Sequence, residues 1–128
     1  MEEWIEILKV KRRALDQMSY CDWKLNSIDE KVRNRAFSDE EEEMYRRLEE
    51  EKNKHRKIFN DQDEILIKSL ATVENADKLI TVLEEKKEND KKADKFDAKI
   101  YLYITWAQEA RKQILERNAN KNTDEQNR

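Results

Sequence analysis

The chain is 128 residues long, 45% of them charged, with a net charge of −3 and neither a glycine nor a proline. Without glycine there is no low-cost left-handed backbone, which argues against tight hairpins and glycine-cradled phosphate loops; without proline nothing forces a helix to stop. These limits predict one all-α domain of a few long helices joined by Asn/Asp/Ser turns.

Leu, Ile, Val and Phe together number only 27, close to the composition at which chains stop folding. An elongated, coiled-coil-like bundle needs less core than a globule and suits so lean a chain. Charge is mixed along it: residues 1–37 sum to +1, 38–60 to −2, 61–90 to −5 and 91–128 to +3. That is not the basic footprint of a general nucleic-acid binder.

The first predicted helix covers residues 2–36. Its stripe is Ile7, Val10, Ala14, Met18, Cys21, Leu25, Ile28 and Val32, with gaps of three and four only, the spacing of a helix packed on another helix. Trp4, Leu8 and Leu15 widen the arc at its start, while Tyr20 and Trp23 lie on its far side. Cys21 is the single cysteine, so no intramolecular disulfide is available, and on the stripe it reads as a small hydrophobe. The N-terminal Met-Glu-Glu-Trp-Ile-Glu lacks the basic and apolar regions of a signal peptide, and no apolar run approaches a membrane span. The expectation is a soluble protein of the cytoplasm.

Ser38 followed by Glu41 is a capping box, with acids from Asp39 to Glu43 at the positive end of the next helix. That second predicted helix runs from 39 to 88, with Tyr45, Leu48, His55, Phe59, Leu66, Leu70, Val73, Ala76, Ile80 and Leu83 in slowly drifting phase. The alternative is a break near 60–62, where Asp61 would cap a new helix and give four helices instead of three.

Residues 84–92 carry no apolar side chain, which predicts a turn near 89–91 and a third helix over 92–118, followed by a polar tail over 119–128. The third helix holds the most apolar run of the chain, residues 99–107. Its seam is Ala93, Phe96, Ile100, Tyr103, Ala107, Ala110 and Ile114. Tyr101, Leu102 and Trp106 fall off that seam and need a second surface. The run's β-branched and aromatic residues also fit a strand, but the flanking spacing favours helix.

At 1.5 Å per residue the three helices are about 52, 75 and 40 Å long. Short turns then make all three overlap only around residues 62–73, a three-helix waist with a two-helix arm at either end. Trp4, Ile5, Ile7, Leu8 and Val10 face that waist from the first helix, and Ala107, Ala110, Ile114 and Leu115 from the third. Two-helix arms leave apolar surface that dimerisation would cover.

Asn53-Lys54-His55-Arg56-Lys57 resembles the Lys-His segment early in the second helix of spectrin-type three-helix repeats, and Ile100, Tyr103, Ala107 and Ile114 step like that family's third helix. The tryptophan usual in that third helix falls here at Ile100. The resemblance implies a scaffold role.

Catalytic patterns are missing. His55 is the only histidine, and the position three residues before it is Lys52, so the Glu-x-x-His pattern of helical di-iron sites does not form. No P-loop, zinc or EF-hand spacing occurs. Lys91, Lys92, Lys95 and Lys99 are interleaved with Asp90, Asp94 and Asp97 and read as a solvated face. No enzyme, metal, cofactor or membrane role is expected, and nucleic-acid association through Lys91–Lys99 stands as a third reading behind the two protein-interaction readings. The partner-binding candidates are the off-seam residues Tyr20, Trp23, Tyr101, Leu102 and Trp106, because Trp and Tyr are favoured where a helix face docks on another protein. The expected function is that of a non-catalytic homodimer, a regulator, inhibitor or adaptor docking helix faces on a partner, or else a coiled-coil scaffold. The Lys/Asn/Glu/Ile-rich character suits a phage or other mobile element.

Overall fold

The computed structural model describes residues 1–95 and 97–126, with side chains up to 121; the seam residue Phe96 lies outside the described residues. The chain is an all-α bundle of four helices, α1 (Glu2–Lys31), α2 (Asp39–Leu70), α3 (Val73–Lys92) and α4 (Lys99–Gln126), with no strand among the described residues. Tyr101-Leu102-Tyr103 is helical.

Four helices form rather than three, and the extra break falls at Ala71-Thr72, not at 60–62. Asn60-Asp61-Gln62 stays inside α2 because Phe59, Leu66 and Leu70 keep one phase through it and no residue there has to leave helical dihedrals. At the real break Ala71 takes the left-handed region at φ 66°. Thr72 caps α3, its side chain accepting from the Asn75 amide at 3.1 Å. The Asn75 side chain donates back to the Leu70 carbonyl at 2.8 Å, satisfying one of the orphan acceptors of α2. The break also shifts the buried face. Beyond it Ala76 and Leu83 of the expected stripe are fully covered together with Leu79, which that stripe does not include, while its Val73 and Ile80 are only half-buried.

The next turn lies over 93–98, not 89–91. The charged run stays helical, with Lys87 on Glu84 at 3.0 Å and Lys86 on Asp90 at 3.5 Å, and its last turn is Lys91-Lys92 at the negative end of the dipole. A Schellman motif stops it: the Lys95 amide donates to the Asp90 carbonyl at 2.8 Å and the Asp94 amide to Lys91, with Asp94 at φ 56° standing where glycine is usual. Helix α1 stops at Lys31, short of 36. Arg35 beyond it is drawn to Glu41 by two bonds of 2.6 and 2.8 Å. Ser38 and Glu41 form the reciprocal capping box, at 3.2 Å from the Glu41 amide to Oγ and 3.0 Å from the Ser38 amide to the carboxylate. At the other end of the chain, α4 continues past 118 to Gln126.

Contacts group the chain into two compact units. Lys9–Gln62 is an antiparallel helix hairpin. Leu25 and Ile28 of α1 pack on Leu48 and Tyr45 of α2, Lys52 pairs with Asp22, and Ala14, Cys21 and Val32 complete the buried α1 stripe. The other unit joins Met1–Leu8 to Asp63–Arg128. Its core takes Ile7 and Leu8 from α1, Leu66, Ile67 and Leu70 from α2, Ala76, Leu79 and Leu83 from α3, and Ile100, Ile104, Ala107, Ala110 and Ile114 from α4. The expected convergence around residues 62–73 is this core, with a fourth helical segment added; Leu115, expected to face it, is exposed. Arg111 pairs with Asp77 at 2.6 Å, and the Lys87 ammonium lies 5.3 Å from the Tyr101 ring, so α3 and α4 fold back about Asp94 instead of about the expected 89–91.

Two outcomes follow from these links. Ala71→Gly removes a left-handed Cβ and raises unfolding free energy by about 1 kcal/mol in urea titrations; a loss of stability would contradict the φ at that residue. Arg35 and the Ser38 amide hold the Glu41 carboxyl at about 2, below its ordinary 4.5. A depressed carboxylate stabilises the fold above its unfolded pKa and loses that contribution as pH falls to its folded one. Glu41→Gln is therefore less stable than the parent at pH 7, and the gap closes between about pH 4.5 and 2 in pH-resolved thermal melts.

Candidate protein-interaction site

The α1 stripe that faces α2 fixes what lies opposite. With Ala14, Cys21, Leu25 and Ile28 buried, helical geometry turns Tyr20 and Trp23 outward. Trp23 is 65% and Tyr20 50% exposed, the most exposed indole and phenol of the hairpin unit. Their rings stack with centroids 6.3 Å apart and planes 25° from parallel. The Lys24 ammonium sits 4.8 Å from the Tyr20 ring, and its contact with Tyr20 raises its proton affinity. Ser27 Oγ donates to the Trp23 carbonyl at 3.0 Å, holding its hydroxyl on the same turn. Two aromatic rings already in contact are an inexpensive surface to order on binding, since each has only two side-chain torsions to fix.

The candidates on α4 behave differently. Tyr101 is half exposed beneath Lys87, and Leu102 is half-buried. Trp106 packs on the hydrophobic core and contacts Tyr103, ring centroids 6.3 Å apart. With Leu66, Ile67 and Ala110 it walls a half-open cleft of about 240 Å³ between α2 and α4. Arg117 spans that cleft to Glu64 with bonds of 2.9 and 2.7 Å, and holds the Glu64 carboxyl below its ordinary range. Glu109 on the rim accepts from Gln113 at 3.1 Å. Tyr20 and Trp23 thus make one patch in the hairpin unit, and Tyr101, Leu102 and Trp106 belong to the other unit, with Trp106 serving its core.

The remaining chemistry-bearing residues have structural employment. His55 is half-buried, its Nε2 3.9 Å from Glu51. Cys21 is buried and unbridged, and burial, with Glu51 next, pushes its thiol up. Among the described residues no three His, Cys, Asp or Glu side chains are grouped to hold a metal ion, and no helix is long and apolar enough to cross a membrane. Lys91, Lys92, Lys95 and Lys99 are exposed around the 93–98 turn, where Asp97 accepts from the Lys99 amide at 3.0 Å. The acids between those lysines shape the turn.

Sequence reading overlooked Lys11. It is 4% exposed, with its ammonium 3.9 Å from the Phe59 ring centre, so the aliphatic stem is buried and the charge rests on an aromatic face. The signal was present: Ile7, Lys11, Ala14, Met18, Cys21 keeps stricter three-four spacing than the same stripe with Val10. A scan of family models and searches of characterised proteins and solved structures find no match to this chain.

The two candidate tryptophans therefore differ in what they do. Trp23→Ser leaves stability within about 0.5 kcal/mol of the parent, as exposed substitutions do, whereas Trp106→Ser costs about 2 kcal/mol by opening the core wall. Urea unfolding separates them, and equal losses would deny the assignment. Cys21 reacts with a maleimide far more slowly in the native protein than in urea; comparable rates would mean the α1–α2 seam is open.

Proposed function

We propose that this is a non-catalytic helical interaction protein of the cytoplasm, a homodimer that docks helix faces on a partner protein as a regulator, inhibitor or adaptor. The observation that carries the reading is the exposed, pre-stacked Tyr20–Trp23 pair on a helix face that nothing in the hairpin unit covers. Aromatic side chains of this kind supply most of the affinity where helices dock, because they bury large area at low entropic cost. Catalysis has little support in the geometry: the single histidine and single cysteine are built into helix seams. Tyr101 and Leu102 on α4 offer a second, smaller apolar face to a partner, framed by Lys87.

The test is affinity capture from the native host with the parent chain and with Trp23→Ser, both checked for equal thermal stability. Partners retained by the parent and lost by the variant are the expected result. A partner set that the substitution leaves unchanged would end the docking reading, and growth in light scattering well past twice 15.6 kDa would favour a scaffold instead.

A further inference from the structure

Resting on the dimeric reading above, we infer that the second copy docks on α1 itself, antiparallel, about a two-fold axis between Cys21 and Asp22. On the face turned away from α2, Arg13, Asp16, Tyr20, Trp23, Ser27 and Glu30 succeed one another at steps of 3, 4, 3, 4 and 3. These are the a and d positions of a heptad. All but Ser27 are exposed. In such a helix pair each a position shares a layer with a d position of the opposite helix. An isologous contact requires every layer to be complementary to itself on rotation.

The six residues meet that requirement. Tyr20 and Trp23, Asp16 and Ser27, and Arg13 and Glu30 each straddle the same midpoint. Rotation about it places Tyr20 beside Trp23 of the second copy in the two central layers. In the layers outside them Asp16 meets Ser27, whose hydroxyl exchanges its bond to the Trp23 carbonyl for one to the carboxylate, and a guanidinium meets a carboxylate at both ends. Flanking positions bring Gln17 beside Lys24 of the other copy and Ser19 beside Asn26, so no like charges face each other. The aromatic pair is already stacked in the single chain, which lowers the ordering cost of closing the central layers. From Arg13 to Glu30 the contact runs about 26 Å. Such a stretch buries less than the roughly 800 Å² per partner of a standard interface, so the dimer is weak and concentration-dependent, and a partner protein that takes the same aromatic pair displaces the second copy.

Sedimentation equilibrium of the full chain, over a wide concentration range and at two salt concentrations, tests the arrangement. Arg13→Glu and Glu30→Arg each put like charges at both ends and weaken dimerisation about tenfold, while the double swap restores the parent affinity. Trp23→Ser abolishes the dimer, and circular dichroism checks that every variant keeps its helix content. A parent dimer indifferent to both single reversals, or not recovered by the double swap, overturns this register and leaves the dimeric reading standing. A parent that sediments at 15.6 kDa throughout overturns both.

Discussion

Burial of a narrow apolar stripe against another helix is the interaction on which everything else in this protein depends. A chain with so few large aliphatic side chains cannot fill a globular core, and it has no glycine or proline with which to build tight turns. What it can do is align its apolar residues at three- and four-residue steps and bury each stripe against a neighbour's. The hairpin unit does this with Leu25, Ile28, Val32 and Leu48, plus Ala14 and Cys21 along the seam. The other unit concentrates four helical segments around Leu8, Leu70, Leu79 and Leu83, the most completely buried leucines.

A chain without glycine must still turn, and at two of its three turns it does so where a non-glycine residue tolerates positive φ. Ala71 and Asp94 occupy those positions. Both are compensated by hydrogen bonds, Thr72 and Asn75 around the first and the Schellman pair around the second. The strain of order 1 kcal/mol at each site is met by satisfying carbonyls that would otherwise be orphaned. The charged surface contributes specificity of register rather than large stability, since exposed pairs are individually weak. Arg117 on Glu64 and Arg111 on Asp77 are long-range markers of how α4 lies on α2 and α3.

The same economy shapes the functional surface. A helix that spends its best apolar residues on its own seam has few left to expose, so two adjacent rings outside that seam stand out against a charged background. Tyr20 and Trp23 are such residues, while Trp106, equally off the seam by spacing, is drawn into the core wall by α2. Position relative to a stripe therefore identifies candidates, and only the neighbouring helix separates a docking residue from a packing one.

Several features were legible in the sequence because they depend on local chemistry. The all-helical class follows from composition. The α1 stripe and the Ser38–Glu41 capping box follow from side chains acting within a turn or two of themselves, and the meeting of Trp4–Leu8, residues 62–73 and Ala107–Ile114 follows from helix lengths and the widening of their apolar arcs. The breaks at Ala71-Thr72 and at 93–98 were not legible, because nothing intrinsic forbids helix there. Past them Leu79 and Ile104, neither of which the expected stripes include, are buried in one core. Lys11 on Phe59 and Trp106 on the core have the same origin. Spacing decides which face of a helix is apolar, but a contact between distant segments decides where the helix must stop and which of its off-face residues remain in water.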